Sequence, residues 1–298
     1  MGYVDFILNL AGLLLWLNWR SIRFDPLIKR TPATLMGTLR PAAPKKVQRW
    51  HFLVFIFALL CLRALIYRWL GGTLGWTGQL DLGVVVVSFR SDVLVRILVF
   101  SFLSFGHLLG MFYVALLLLS LLSGPEPMNR LVRIPLGCVD GWPASAKACL
   151  PFAVTAGLWW LLSWLLGWQQ IISPPVSLAH RFEQAVVVGL ESYQVWKFPV
   201  GILLVLHLLN SYIYFGQHPF WKYVSATAQT LLSPLKPVPL RAGRLDFAPL
   251  VGIALVFLGT HFMENGLQSP PRKGPRGQPV APLIQIPGLV DIYKKLPL

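Results

Sequence analysis

The sequence predicts an all-α membrane protein of about six transmembrane helices, arranged as three repeated hairpins joined by basic, proline-rich cytoplasmic linkers. Three observations lead there. Of 298 residues, 55% are hydrophobic and only 12% charged, a balance too apolar for an ordinary soluble domain. The apolar residues fall in runs of roughly bilayer-crossing length, near 3–19, 51–70, 93–122, 149–168, 196–216 and 247–263. The net charge of +15 is carried between those runs rather than on one soluble face, so anionic lipid headgroups, not nucleic acid, are the expected partner.

The first run opens with Asp5 and its positive charges come afterwards, the reverse of a cleavable signal, so a retained first helix is expected. Residues 20–49 then carry Arg20, Arg23, Lys29, Arg30, Arg40, Lys45, Lys46 and Arg49 against the single acid Asp25. Residues 124–148 add Arg130, Arg133 and Lys147, and residues 217–246 add Lys222, Lys236, Arg241 and Arg244. The alternate loops, about 71–92 and 169–184, hold only Arg90 and Arg181. Positive residues favour the inner side, which places the three linkers in the cytoplasm and both termini outside. The third run is longer than a bilayer requires and is expected to tilt or protrude. Valines at 84–87 and 186–188 suit either short strands or interfacial helix. After Met263 the chain turns to SPPRKGPRGQPVAP, too rich in Pro, Gly and charge to pack, and a flexible tail over 264–298 is expected, with apolar character only in its last segment. Cys61, Cys138 and Cys149 form no metal or redox spacing and are expected as free thiols.

The hairpins are read as residues 1–70, the most diverged, 71–168 and 169–263. Each linker begins with an acid or histidine, a proline and a basic turn: Asp25-Pro26 with Lys29, Glu126-Pro127 with Arg130, His218-Pro219 with Lys222. In the third copy Phe220, Tyr223, Val224, Thr227 and Leu231 share one helical face with Lys222 off it, the pattern of an amphipathic helix lying in the interface. Pro234, Pro237 and Pro239 then enforce an extended turn. Asp246 is placed to cap the last membrane helix, and Pro249 fits its first turn, where no N–H is required. Pro151 takes the place of Pro249 in the second copy, with Ala148 where Asp246 would be.

A basic, proline-rich inner loop leading into Leu-Asp-x-x-Pro at the head of a membrane helix resembles the signature of the YggT family of integral membrane proteins. It is read at Pro219, Phe220, Lys222, Pro234, Pro237, Leu245, Asp246 and Pro249, most clearly over residues 198–263 and more weakly over 93–168. Pro237 stands where the family usually has a second arginine, and Arg244 replaces a glycine. The resemblance implies a non-enzymatic assembly factor for envelope or membrane complexes, with family links to osmotic stress, cell division and, in plastids, cytochrome assembly.

Ionisable residues inside a membrane are functional candidates, because lipid penalises charge. His107 and His207 lie within the third and fifth runs. Paired histidines can ligate haem, which the plastid branch of the family also suggests; the alternative is that each is neutral and hydrogen-bonded to a neighbouring helix. No other cofactor is expected. Arg63 and Arg96 are expected to snorkel towards headgroups. Asp5, Asp92, Glu191 and Glu264 sit near span ends, which speaks against a proton- or cation-coupled transporter. No nucleophile elbow, phosphate-cradling loop or zinc spacing appears, so no catalytic or metal-ligating residue is proposed. Trp159, Trp160, Trp164 and Trp168 read as interfacial anchors. Two rival functions remain from sequence: a small solute or ion channel of oligomerised hairpins using His107, His207, Asn210 and Gln194, and a haem-handling factor. The expected partners are the bilayer, other membrane proteins or further copies of the chain.

Overall fold

A backbone that crosses lipid must close its hydrogen bonds on itself, and this chain is helical nearly everywhere it is apolar. The computed structural model describes residues 2–21, 49–74, 77–91, 93–122, 128–172, 177–213, 218–238, 240–242, 245–268, 272–273, 279–280 and 285–295. The helices are α1 (Gly2–Ser21), α2 (Arg49–Leu74), α3 (Leu94–Leu121), α4 (Met128–Leu136), α5 (Ala144–Trp168), α6 (Leu178–Glu191), α7 (Lys197–Tyr212), α8 (Pro219–Leu231), α9 (Ala248–Asn265) and α10 (Leu289–Lys295). Strands β1 (Thr77–Asp81) and β2 (Val86–Arg90) form one two-stranded sheet, β3 (Arg241–Ala242) and β4 (Leu245–Asp246) a second. β5 (Gly266–Gln268) pairs with β8 (Gln285–Pro287), and β6 (Arg272–Lys273) with β7 (Pro279–Val280).

Among the described residues five helical stretches are long and apolar enough to cross a membrane: Trp50–Gly71, Leu94–Leu121, Ala144–Trp168, Leu178–Tyr212 and Ala248–Asn265. This is the architecture of a multi-pass, all-α membrane protein. The stretch expected as a first span forms α1, a 20-residue helix, but it is not one of the five. Asp5, Asn9, Asn18 and Arg20 lower its apolarity.

Two spans begin earlier than their hydropathy suggests. Helix α5 starts at Ala144, behind an extended Pro143, so Pro151 lies inside the helix and not at its first turn. Without an N–H, Pro151 leaves the Lys147 carbonyl without its helical donor. The neighbouring Ala148 carbonyl accepts from the Tyr193 hydroxyl at 2.7 Å. Pro249, in contrast, does sit in the first turn of α9, so the two prolines match in sequence pattern but not in helical position. The fifth span likewise extends back to Leu178: α6 and α7 are joined through a 3-10 turn, Ser192–Trp196. The valines at 186–188 are therefore helical, whereas Val86 and Val87 begin a strand. The tip between β1 and β2 is closed by Leu82 N–H to the Val85 carbonyl (2.9 Å) and by Gly83 N–H to Asp81 Oδ1 (2.8 Å), with Gly83 at φ 84°.

The chain divides into two compact units, Met1–Gly78 with Phe89–Leu109, and Gln79–Ser88 with Gly110–Leu298. In the first, Ile56, Leu60 and Phe105 form a core joined by Leu15, Trp16 and Leu109. Gly12 of α1 lies directly on the Phe105 ring, with no room for a Cβ. In the second, Leu118, Val200, Leu204, Ala228 and Leu232 form the core where α7 meets α8, and Gly252 of α9 admits Leu232 and Leu204. Leu116, Leu117 and Leu136 pack the end of α3 against α4, with Val132 and Leu150 beside them.

Helix α8 departs from expectation in what covers its apolar face. It starts with Pro219 as first helical residue and Phe220 N–H donating to His218 Nδ1 at 3.3 Å. Tyr223, Val224, Thr227 and Ala228 are buried, however, and the protein's own helices cover that face instead of lipid. Lys222 points to solvent. In the tail, β5 and β8 pair antiparallel and α10 packs on α9 and α6 through the buried Leu289. Residues 285–295 are thus docked, with Gly288 lying against the backbone of Glu264 and Asn265 at the end of α9.

Candidate functional site

Among the described residues, a concentrated set of polar side chains inside the helices lies within the first unit. Asp5, Asn9, Gly12 and Trp16 are spaced by four, three and four residues, which puts them on one face of α1. That face is turned inward: Asn9 and Gly12 are buried, while Tyr3, Phe6, Ile7 and Leu14 on the other faces are 55–88% exposed. Helix α1 is therefore polar inside and apolar outside, the reverse of a helix that packs in water.

Arg63 and Tyr67, one turn apart on α2, face this stripe and are each 1% exposed. The Arg63 guanidinium donates to Asp5 Oδ1 at 2.5 Å, to Asn9 Oδ1 at 2.7 Å and to Ser104 Oγ of α3 at 3.0 Å. Tyr67 Oη donates to the same Asp5 oxygen at 2.7 Å, and Asn9 Nδ2 donates to Ser104 Oγ at 3.0 Å. The guanidinium also lies 5.6 Å from the Tyr67 ring centre and 5.3 Å from that of Phe100. Ser101, a turn before Ser104, donates to the Leu60 carbonyl at 2.9 Å.

This overturns the expectation that Arg63 snorkels. Its side chain is fully shielded, and Arg63 lies eight residues before Gly71, about 12 Å from that end of the span. Reaching for headgroups would leave Asp5 alone; pairing the two instead cancels the charge and fills the acceptors around it. The cluster carries a cation, an anion, an amide and two hydroxyls, each engaged across helices. Such a set fixes helices against one another and offers no free nucleophile.

The other sequence-predicted residues are dispersed. His107 is partly buried on α3 in the first unit. His207, on α7 in the second, is partly buried, with the Asp246 carboxylate in electrostatic reach. Asn210 Nδ2 donates to Ser225 Oγ at 3.1 Å and ties α7 to α8. Gln194 donates to Glu191 Oε2 at 2.7 Å, and the Glu191 carboxylate occupies the space a Cβ of Gly83 would need. Asp246 Oδ1 accepts from Ala248 N–H at 3.0 Å, so it serves the head of α9 as expected, although Phe247 holds the N-cap position itself. Pro249 is buried, Pro234 lies in the exposed 3-10 turn Ser233–Leu235, and Pro237 is exposed. Arg130 lies in α4 and Leu245 in β4; Pro127 and residues 22–48 of the first linker fall outside the described residues. Trp159 is buried, whereas Trp160, Trp164 and Trp168 face outward as an anchoring belt would. Among the described residues no group of three or more His, Cys, Asp or Glu could hold a metal ion.

A second polar cluster closes the end of α3 onto α5. Buried Lys147 donates to Ser120 Oγ at 3.0 Å and pairs with Asp140 at 3.4 Å, and Arg133 of α4 pairs with Asp140 at 3.5 Å. Outside the spans, burial pushes the Tyr223 phenol above its ordinary range and that of Tyr293 up to about 12. No family model, curated protein or solved structure matches the chain.

The Arg63 cluster escaped the sequence reading, although one signal for it was present. Asp5 and Asn9 four residues apart, continued by Gly12 and Trp16, mark a polar and close-packing stripe that a helix in lipid must turn towards another helix.

Proposed function

We propose that the protein is a non-enzymatic membrane scaffold of the YggT type, an assembly factor for an envelope or membrane complex. In this reading α1 is a sixth span, the hairpins are residues 1–70, 71–168 and 169–263, and the basic linkers face the cytoplasm of a bacterial inner membrane with both termini outside. The inward polar stripe of α1, with Tyr3, Phe6, Ile7 and Leu14 outward, supports its placement in lipid. The functional reading rests on one contrast. Intramembrane polar groups of the Arg63 cluster are engaged with each other, while exposed cations lie on short helices between spans: Lys222 on α8, and Arg133 on α4, which stays exposed although it shares Asp140 with Lys147. Those cations suit anionic lipid headgroups or an acidic cytoplasmic surface of a partner. The sequence order of span, short helix, span occurs twice, as α3–α4–α5 and α7–α8–α9, which supports the repeat.

The test is charge reversal of Arg130, Arg133, Lys222 and Arg241 together, followed by mass spectrometry of lipids and proteins that co-purify in mild detergent. The variant should insert normally and lose co-purifying anionic lipid or its protein partner. Unchanged lipid, partner and activity would reduce the linkers to topology signals and defeat the reading.

A further inference from the structure

Helix α1 differs from the five membrane-spanning stretches in needing something from its neighbours. Its length suffices for a bilayer, but Asp5 and Asn9 sit within it, and lipid offers neither a partner. Helices α2 and α3 present the complement: a guanidinium, a phenol and a hydroxyl from Arg63, Tyr67 and Ser104, arranged so that Asp5 takes two donors and Asn9 bridges the other two helices. The dependence runs both ways. Without α1, Arg63 keeps only Ser104 of its side-chain acceptors and carries an uncompensated charge within α2. Gly12 lets α1 approach close enough for these bonds, since a Cβ there would meet the Phe105 ring.

We infer that the α2–α3 face is a docking site for an apolar helix bearing an acid and an amide one turn apart, that α1 is its occupant, and that the Asp5–Arg63 pair is the condition for α1 to cross the membrane. This rests on the six-span reading above. Local hydropathy places the other spans; α1 is placed by recognition, after α2 and α3 are present to receive it.

The experiment uses the full chain with a short N-terminal peptide tag and protease added outside spheroplasts. In the wild type the tag should be cleaved. With Arg63→Leu, which leaves Asp5 without its counter-charge, the cleaved fraction should fall at least tenfold. Cleavage should return in Asp5→Leu/Arg63→Leu, where nothing charged remains, and in the exchange Asp5→Arg/Arg63→Asp. A tag protected in the wild type would sink the six-span reading and this inference with it. Wild-type cleavage that persists in Arg63→Leu would sink the inference alone. So would protection in Asp5→Leu/Arg63→Leu, because loss of α1 would then follow from damage to α2 and not from an unpaired acid.

Discussion

Helix α1 meets α2 and α3 through an ion pair, an amide and two hydroxyls set beside the Leu15, Trp16 and Gly12 contacts, whereas α7 meets α8 and α9 mainly through Leu204, Ala228, Leu232 and the glycine gaps at Gly252 and Gly201, with one uncharged side-chain bond from Asn210 to Ser225. Both are solutions to one problem. Lipid tails are as apolar as leucine, so a greasy face gains little by exchanging lipid for another helix, and a specific joint needs either polar bonds or unusually close fit. The two differ in how they fail. A joint made by charge is nearly all-or-none, since losing one partner strands the other in a place that cannot solvate it. A joint made by shape loses stability in proportion to the misfit.

The sharpest way to break the contrast is at Arg63. Arg63→Leu, with Asp5 retained, should cost about 3–5 kcal/mol, the usual effect of orphaning one member of a buried pair, and Asp5→Leu in the same chain should recover most of it. Reversible denaturation in detergent micelles, read by tryptophan fluorescence, measures both. If the double variant is no more stable than Arg63→Leu, the cluster is not held by its charges.

Next in size is the close-packed joint. Gly252→Leu drives a side chain into Leu232 and Leu204, and overpacking of this kind costs about 1–3 kcal/mol. The same assay should show a loss at this site that Gly252→Ala, a smaller intrusion, reproduces only in part. Equal losses for Ala and Leu would mean that the glycine serves backbone conformation and not fit.

Asp246 tests the head of α9. Asp246→Ala should cost about 1 kcal/mol, the size of a lost helix cap, while Asn and Ser, which also accept from Ala248 N–H, should retain stability and function. A folded but inactive Asp246→Asn protein would move this residue from structure to chemistry.

The smallest effect concerns the docked tail. Burial raises the Tyr293 phenol to about 12, so the folded state holds this proton above the ordinary tyrosine value. The contribution of α10 docking should be fully present below about pH 10 and disappear as the pH rises through 12. In an alkaline absorbance titration, the wild-type minus Tyr293→Phe difference should show one phenol ionising near 12. A difference centred near 10 would mean that α10 is not packed in solution.

How much of this was legible in the sequence follows from the range of each interaction. The runs that became α2, α3, α5 and α9 were readable because twenty or so apolar residues decide their own fate. The start of α5 was not, because LPFAV imitates APLVG while the helix is set by Pro143 upstream. The two valine runs were ambiguous for the same local reason: β-branched residues fit a strand, yet 186–188 continue a helix begun at Leu178. The apolar stripe of α8 is legible in its spacing, but its covering by α7 and α4 is not, since amphipathicity names a face and not what covers it. The bonding of Arg63 was least legible, as it depends on Asp5, 58 residues away.

The 3-10 turn at Ser192–Trp196 solves a difficulty of rotation. An uninterrupted α-helix has a single phase: the stripe that meets one neighbour continues along the rod at 100° per residue. Within Leu178–Tyr212, α6 packs chiefly on α5, whereas α7 packs on α8 and α9. Five residues wound at three per turn advance by about 20° more each than α-helical ones, so the turn rotates the later stripe by about 100° relative to the earlier one. Helices α6 and α7 thus present their stripes at different angles, and that offset lets one stretch of the chain serve two sets of neighbours.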